Sequence, residues 1–406
     1  MNPTNITYAL NNGRVDVGRL RPAGGGGGGG SLPAWLAAAN PAIGQYITIP
    51  NSALSTCPPT NPSVLKNAST GPAAKITAYC GAGYNRLTGD YTVGPHGGHL
   101  DYGGNEFNAI NVFADVPSWV EWAPSSPDSA IYKNTEYNAD LRPASKHSYS
   151  LTHWVASIGK CIMMPTGGQA FGADYPPGWL YTLGKYGSSF DIVTKTYDSP
   201  LGIAPYPGVG DPYGALCFQD PSTEMIYYSN NYGDGFYRYS AFANTWTKLS
   251  NMAKAPWYCS SVVDHTRGRA LVVGGYDVTA PSIVPLDGST ATLAGLTGPS
   301  AAVFTFGVGT GIGNSTLPGM VYDAVNDCYL MFINEGGVIE NYRVNASTMY
   351  ADKPTRTGLI PTSRRQTGGA DVGIYNSVQY VPNIGGMAGV IGTNEYTKDM
   401  FFLRTS

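Results

Sequence analysis

A degenerate unit recurs about six times along the chain, and it constrains the fold more than any other feature. Each copy runs as an apolar strand, a short polar turn, a second apolar strand, a glycine pair or similar break, and an aromatic-rich strand. In the clearest copy, Ser261-Val262-Val263-Asp264 leads through the turn His265 to Arg269 into Ala270-Leu271-Val272-Val273 and then Gly274-Gly275. Units this small cannot bury their apolar faces alone. They stack in a line or close radially as propeller blades.

Composition agrees with many short strands. Only 13% of the 406 residues are charged, while Gly numbers 53, Pro 30 and Tyr 29. Such a mixture suits tight turns rather than helices; Leu32 to Ala39 is the one short helical candidate. The net charge of −3 supplies no basic field for nucleic acid. No apolar run reaches the length of a membrane-spanning helix, so no membrane insertion is expected. Met1 to Ile6 lacks the basic-then-apolar order of a signal peptide, and the Asn-x-Ser/Thr triplets at Asn5, Asn67, Asn314 and Asn345 are then expected to be chance. Cys161, Cys217, Cys259 and Cys328 fall in apolar strands as small buried hydrophobes. Cys57 and Cys80 flank a loop, and a bridge between them stays open.

Two regions follow. Residues 1–33 hold weak apolar alternation (Ile6, Tyr8, Val15, Val17, Leu20) and an unbroken glycine run from Gly24 to Gly30. Polyglycine loses the most backbone entropy on ordering, so this region is either disordered alone or an arm ordered by docking on neighbouring subunits. Residues 34–406 carry the repeats. First and second strands are predicted at Lys75–Tyr79 and Asp90–Val93, Tyr149–Leu151 and Lys160–Met164, Ala215–Phe218 and Met225–Tyr228. The clearest copy is the fourth, and Gly319–Asp323 with Cys328–Ile333 and Val372–Tyr375 with Val378–Val381 complete the set. Fourth strands are expected at Trp119–Trp122, Thr245–Leu249 and Thr348–Tyr350. The last unit stops at its third strand, Met400–Leu403, which would leave an open edge. Gln45–Ile49 is a spare alternating strand, and the reading is that it completes the last blade and closes the ring. The expected fold is all-β, a propeller of six blades, with seven allowed by the spacing.

The glycine pair after the second strand, the aromatic third strand and a Trp near the fourth, as in Gly274-Gly275 and Trp246, make these units similar to kelch-type blades. The string Gly97 to Glu106 (GGHLDYGGNE) resembles a signature of bacterial kelch-like proteins related to the central domain of galactose oxidase. Arg142 to Tyr149 (RPASKHSY) resembles the start of a blade in the same group. The resemblance implies a propeller and no particular reaction, because one fold hosts many functions. Galactose oxidases hold copper with two tyrosines and two histidines. Here the five histidines, His96, His99, His147, His153 and His265, all precede the last two units, and copper-radical chemistry is not expected.

His96, His99, Asp101 and Glu106 form the one compact group with the donor set of a divalent metal site. Their glycine-rich setting fits better a loop fixed by backbone hydrogen bonds, and that structural reading is preferred. No cofactor is expected. No nucleophile elbow or phosphate loop occurs. The Gly307 to Gly313 run follows a strand-like stretch but opens no helix. Tyr175 and Trp179 in one loop, and Asn231, Tyr232 and Asp234 in another, combine aromatic faces with amides and carboxylates, a set that suits sugar binding.

The expectation is therefore a non-enzymatic structural or attachment component of a larger assembly, oligomeric there, with residues 1–33 docking on other subunits. Phage short tails and fibres use β-propellers as nozzle parts and host-binding heads, and this chain resembles that usage in style. The expected location is the virion; a cytoplasmic place or signal-independent export is the alternative. A propeller that binds or modifies carbohydrate, such as a host-surface glycan, is the competing function, and a cytoplasmic kelch scaffold is a third.

Overall fold

The computed structural model describes residues 32–63, 66–67, 70–98, 101–131, 136–166, 186–200, 202–208, 214–230, 235–250, 259–274, 280–304, 317–364 and 373–406. It also gives the backbone of a small hairpin pairing Leu10–Asn11 with Arg14–Val15. The strands form five four-stranded antiparallel sheets and one five-stranded sheet, each a blade. Blade 1 uses Gly83–Asn85, Asp90–Val93, Phe107–Asn111 and Trp119–Ala123. Blade 2 uses Thr152–Val155, Lys160–Met163, Ser188–Asp191 and Thr196–Tyr197. Leu216–Gln219 opens blade 3, Ser260–Asp264 blade 4, Gly319–Asp323 blade 5 and Val378–Ile384 blade 6. The protein is a six-bladed β-propeller.

Alternation along the inner strands packs the ring. Successive strand residues point to opposite faces, so Leu216 and Phe218 enter the core shared with blade 4 while Cys217 enters the one shared with blade 2. Met320 and Tyr322 likewise face blade 4, and Val321 faces blade 6. Each neighbouring pair of blades shares one such core. The core between blades 6 and 1 joins Tyr84 and Tyr91 to Val381 and Ile391, so the circle is complete.

Closure comes from the amino-terminal side, as the unpaired edge required. Gln45–Thr48 pairs antiparallel with Phe401–Arg404, setting Ile47 opposite Phe402 and Thr48 opposite Phe401. Thr357–Gly358 adds a short parallel strand outside it. The helix is present at Ala34–Ala39 and buries Trp35 and Leu36 against the seam of blades 6 and 1.

Several expected strands shift. Lys75–Tyr79 is not the first strand of blade 1. The Gly71–Ala73 turn, with Pro72 at its start, runs into the helix Ala74–Thr77, and Tyr79 at φ 54° leaves it. In blade 2 the positive φ of Tyr149 (45°) delays the strand to Thr152. In blade 6 Tyr375–Ser377 is a 3-10 turn, the first strand begins at Val378 and the second is Met387–Gly392. Gly385 and Gly386 are thus the hairpin turn itself, at φ 60° and 91°, values that a two-residue turn requires and glycine adopts freely. Thr348–Tyr350 belongs to a turn, with pairing delayed to Ala351. Cys57 and Cys80 are free thiols, so the bridge left open is not formed; Cys80 is buried with its Sγ on the Ala78 carbonyl.

Candidate functional site

The first four strands of each blade alternate in direction, which sorts the connections to two ends of the ring. Turns such as 86–89, 156–159, 192–195, 241–244, 265–268 and 324–327 are short and lie at one end, the turn end. The insertions 94–106, 124–151, 164–187 and 294–318 leave from the other, the loop end. Asx turns make the short set compact: Asn85, Asp191, Asp220, Asp264, Asp323 and Asn345 each accept amide hydrogen bonds two or three residues on.

At the loop end, the two strings that carry the kelch resemblance pack against each other. The Gly97 amide donates to the Lys146 carbonyl and the Lys146 amide to the Pro95 carbonyl. The Asp101 carboxylate meets His147 Nε2 at 3.0 Å and accepts from the Thr70 hydroxyl. Tyr79 and Tyr149 pack on the His147 ring, at centroid distances of 4.8 and 5.9 Å. His96 Nε2 lies 3.2 Å from the Thr152 hydroxyl. Glu106 pairs with the Lys75 ammonium at 3.3 Å and accepts from the Tyr102 hydroxyl at 2.8 Å. All of these charged and imidazole groups are buried.

Burial dominates their electrostatics. It lowers the His96 imidazole to about 3 and also lowers His147, against the opposing pull of Asp101. Burial lowers Lys146 and raises Tyr102, with the Glu106 charge raising Tyr102 further. Neutral, enclosed imidazoles and a paired carboxylate suit a lock that fixes the 94–106 connection. The metal candidates are therefore not brought together: His96, Asp101 and Glu106 each face a different partner, and His99 lies outside the described residues. Among the described residues no three His, Cys, Asp or Glu side chains converge as metal ligands.

Around the axis at the same end, Arg364 is fully buried and donates to the carbonyls of Cys80, Gly373 and Ile374. Asn376 donates to the Thr152 carbonyl and accepts from the Ala82 amide. A Cβ on Gly81 would sit 1.5 Å from Asn376 Oδ1, so only glycine fits there. Arg364, Asn376 and Lys75 were not singled out from the sequence. Lys75 is a lone lysine in an apolar stretch, whereas Arg364 stands beside Arg365 in a polar segment that gives no such signal.

Tyr175, Trp179, Asn231, Tyr232 and Asp234 lie outside the described residues. Their connections join second to third strands in blades 2 and 3, and so depart from the loop end of neighbouring blades. Ile6, Tyr8, Val17 and Leu20 also lie outside, and Val15 is given only as hairpin backbone.

The turn end receives the amino-terminal region. Leu32 rests on the Gly385 turn. The Ala34 amide donates to Asp115 at 2.8 Å, and Trp35 Nε1 to the Val112 carbonyl. Exposed apolar side chains stand at this end as well: Ile43, Val116, Val193, Phe242 and Val325.

No protein-family model matches the chain, and no curated protein does. Among solved structures it is similar to a structural-genomics protein of unknown function from Bacteroides thetaiotaomicron VPI-5482. That similarity is at 9% identity, covers 88% of this chain and 74% of that one, and has a TM-score of 0.46.

Proposed function

We propose that the protein is a non-enzymatic structural or attachment component of a larger assembly, a bacteriophage tail or fibre part in the virion. Residues 1–31, the part of the expected 1–33 arm that precedes Leu32 on the Gly385 turn, would dock it on other subunits. The observation that carries this reading is the polarity of the ring. The amino-terminal region enters at the compact turn end, and the insertions are gathered at the opposite end. A rigid closed ring serves as the body, and the ordering entropy of the docked segment is offset by assembly contacts. The kelch-type repeat pattern fits a propeller used as a scaffold. The enclosed state of His96, Asp101 and Glu106, each held by a different partner, supports a structural role for them. Particles assembled with a chain lacking residues 1–31 should contain none of it, although the truncated protein remains folded by circular dichroism. Normal incorporation would overturn the reading.

A second reading is favoured by one observation: the connections carrying Tyr175, Trp179, Asn231, Tyr232 and Asp234 leave the same end of adjacent blades. In it the loop end binds a glycan of the host surface, with rings stacking on sugar faces and amides bonding hydroxyls. A glycan array should then give hits that are lost in Trp179→Ala and Tyr232→Ala. A blank array argues for scaffold function alone.

A further inference from the structure

Beneath blade 1 an amine, a carboxamide and a carboxyl group are enclosed together. Lys75 comes from the helix Ala74–Thr77, Asn108 from the third strand of blade 1, and Glu106 from the position just ahead of that strand. Strand alternation turns Asn108 to the same side as Ile110, where Ile76 and Cys57 also pack. Lys75, Glu106 and Asn108 are only 2%, 1% and 1% exposed. Lys75 Nζ touches Asn108 Oδ1 and lies 3.3 Å from Glu106 Oε1 and 3.2 Å from the Glu106 main-chain carbonyl.

A salt bridge accounts for only part of this geometry. Glu106 Oε1 accepts from the Tyr102 hydroxyl at 2.8 Å, but Oε2 is buried without a hydrogen-bond partner among the described residues. As a carboxylate, Glu106 leaves that oxygen bare; as the acid formed by taking a proton from Lys75, it can carry the hydrogen there. Asn108 Nδ2 donates to the Cys57 sulfur at 3.6 Å, a weak acceptor, so the amide nitrogen loses little by departing. Asn108 Cγ is one bond from the oxygen that Nζ touches. The amine thus stands against an acyl carbon, with a proton carrier at its side and water shut out.

We propose that Lys75 and Asn108 become joined by an isopeptide bond, with Glu106 as the acid–base catalyst. Glu106 takes one proton from the Lys75 ammonium, and the freed lone pair of Nζ attacks Cγ while the carbonyl electrons move to Oδ1. A second proton passes from Nζ through Glu106 to Nδ2. The Cγ–Nδ2 bond then breaks, and the carbonyl re-forms. The products are a secondary amide and ammonia, so the step needs no oxidant, reductant or further reactant. The remaining N–H of Nζ keeps the Glu106 main-chain carbonyl as its acceptor. The bond ties positions 33 residues apart and encloses the first two strands of blade 1 together with the 94–106 connection. Such a closure restricts the unfolded chain and stabilises the ring as a disulfide would. It depends on neither the docking segment nor the glycan reading.

Mass spectrometry of the purified, fully denatured full chain tests the proposal. The expected mass is below that of the sequence by one ammonia, about 17 Da, and proteolysis should release a branched peptide joining Lys75 to Asn108. Lys75→Arg and Glu106→Gln, each checked for folding by circular dichroism, should keep the full mass. Asn108→Asp should cross-link again, now with loss of water, about 18 Da, a change that packing alone cannot produce. An unaltered chain at its full sequence mass overturns the proposal whether or not the variants fold. Ammonia loss located elsewhere, as at Asn12 before Gly13, overturns it equally. A cross-link that persists in Glu106→Gln overturns the catalytic part given to Glu106.

Discussion

Lys75 and Glu106 are both buried, and their ammonium and carboxylate lie 3.3 Å apart beneath blade 1. Removing one partner of such a pair strands the other charge, a loss of about 3–5 kcal/mol. Lys75→Met should therefore destabilise by that amount in urea unfolding, and adding Glu106→Gln should recover part of it; strict additivity would show that the two groups do not interact. The buried histidines make a separate prediction. His96 and His153 titrate near 3 in the folded protein, lowered by burial, against about 6.5 when unfolded. Between those values the unfolded chain binds more protons, so stability is full above pH ~6.5 and falls as pH drops toward ~3. The slope is about 1.4 kcal/mol per pH unit for each histidine. Unfolding measured from pH 7 to 4 should show this slope, and His153→Asn should flatten it by one group's share. A stability that is level over that range would contradict the enclosed imidazoles.

Among the elements, the closing strand matters most. Tyr46, Ile49, Trp35 and Leu36 are all buried against blades 6, 1 and 5. At about 1.5–3 kcal/mol each, their removal costs about 6–12 kcal/mol, as much as the whole net stability of a typical domain. A chain lacking residues 1–49 should consequently fail to fold or aggregate through the bared Phe401–Arg404 edge, whereas one lacking residues 1–31 should melt as the full chain does. Size-exclusion chromatography and a thermal melt distinguish the two. Much of this layer was legible in the sequence. The six-fold repeat, the short helix and the spare strand at Gln45 follow from apolar periodicity and from the need to cover an edge. The misplaced strands have a common cause: Tyr79, Tyr149, Met349 and Tyr375 all take positive φ, and no periodicity announces that a bulky residue will. The buried pairs at the loop end were not legible because their partners are distant in sequence, Asp101 with His147 and Arg364 with Cys80. Only the ring brings them together.

For the whole molecule, closure converts a chain of weak units into one cooperative body. An open repeat array has free ends from which it can unravel. Here the cores between blades form an unbroken circle, and tyrosines bolt neighbours at the turn end. Tyr329 donates to Asp264, and Tyr380 to Asp323. Calorimetry should give a single transition, with van't Hoff and calorimetric enthalpies equal for the described body. Two resolved transitions would mean that groups of blades unfold separately. The central claim is that a strand from before the first blade completes the last one. Native-state hydrogen exchange tests it most directly, by comparing amides of residues 45–49 with those of 401–404. Equal protection, lost only with global unfolding, is the predicted result; fast exchange at 45–49 beside slow exchange at 401–404 would contradict it.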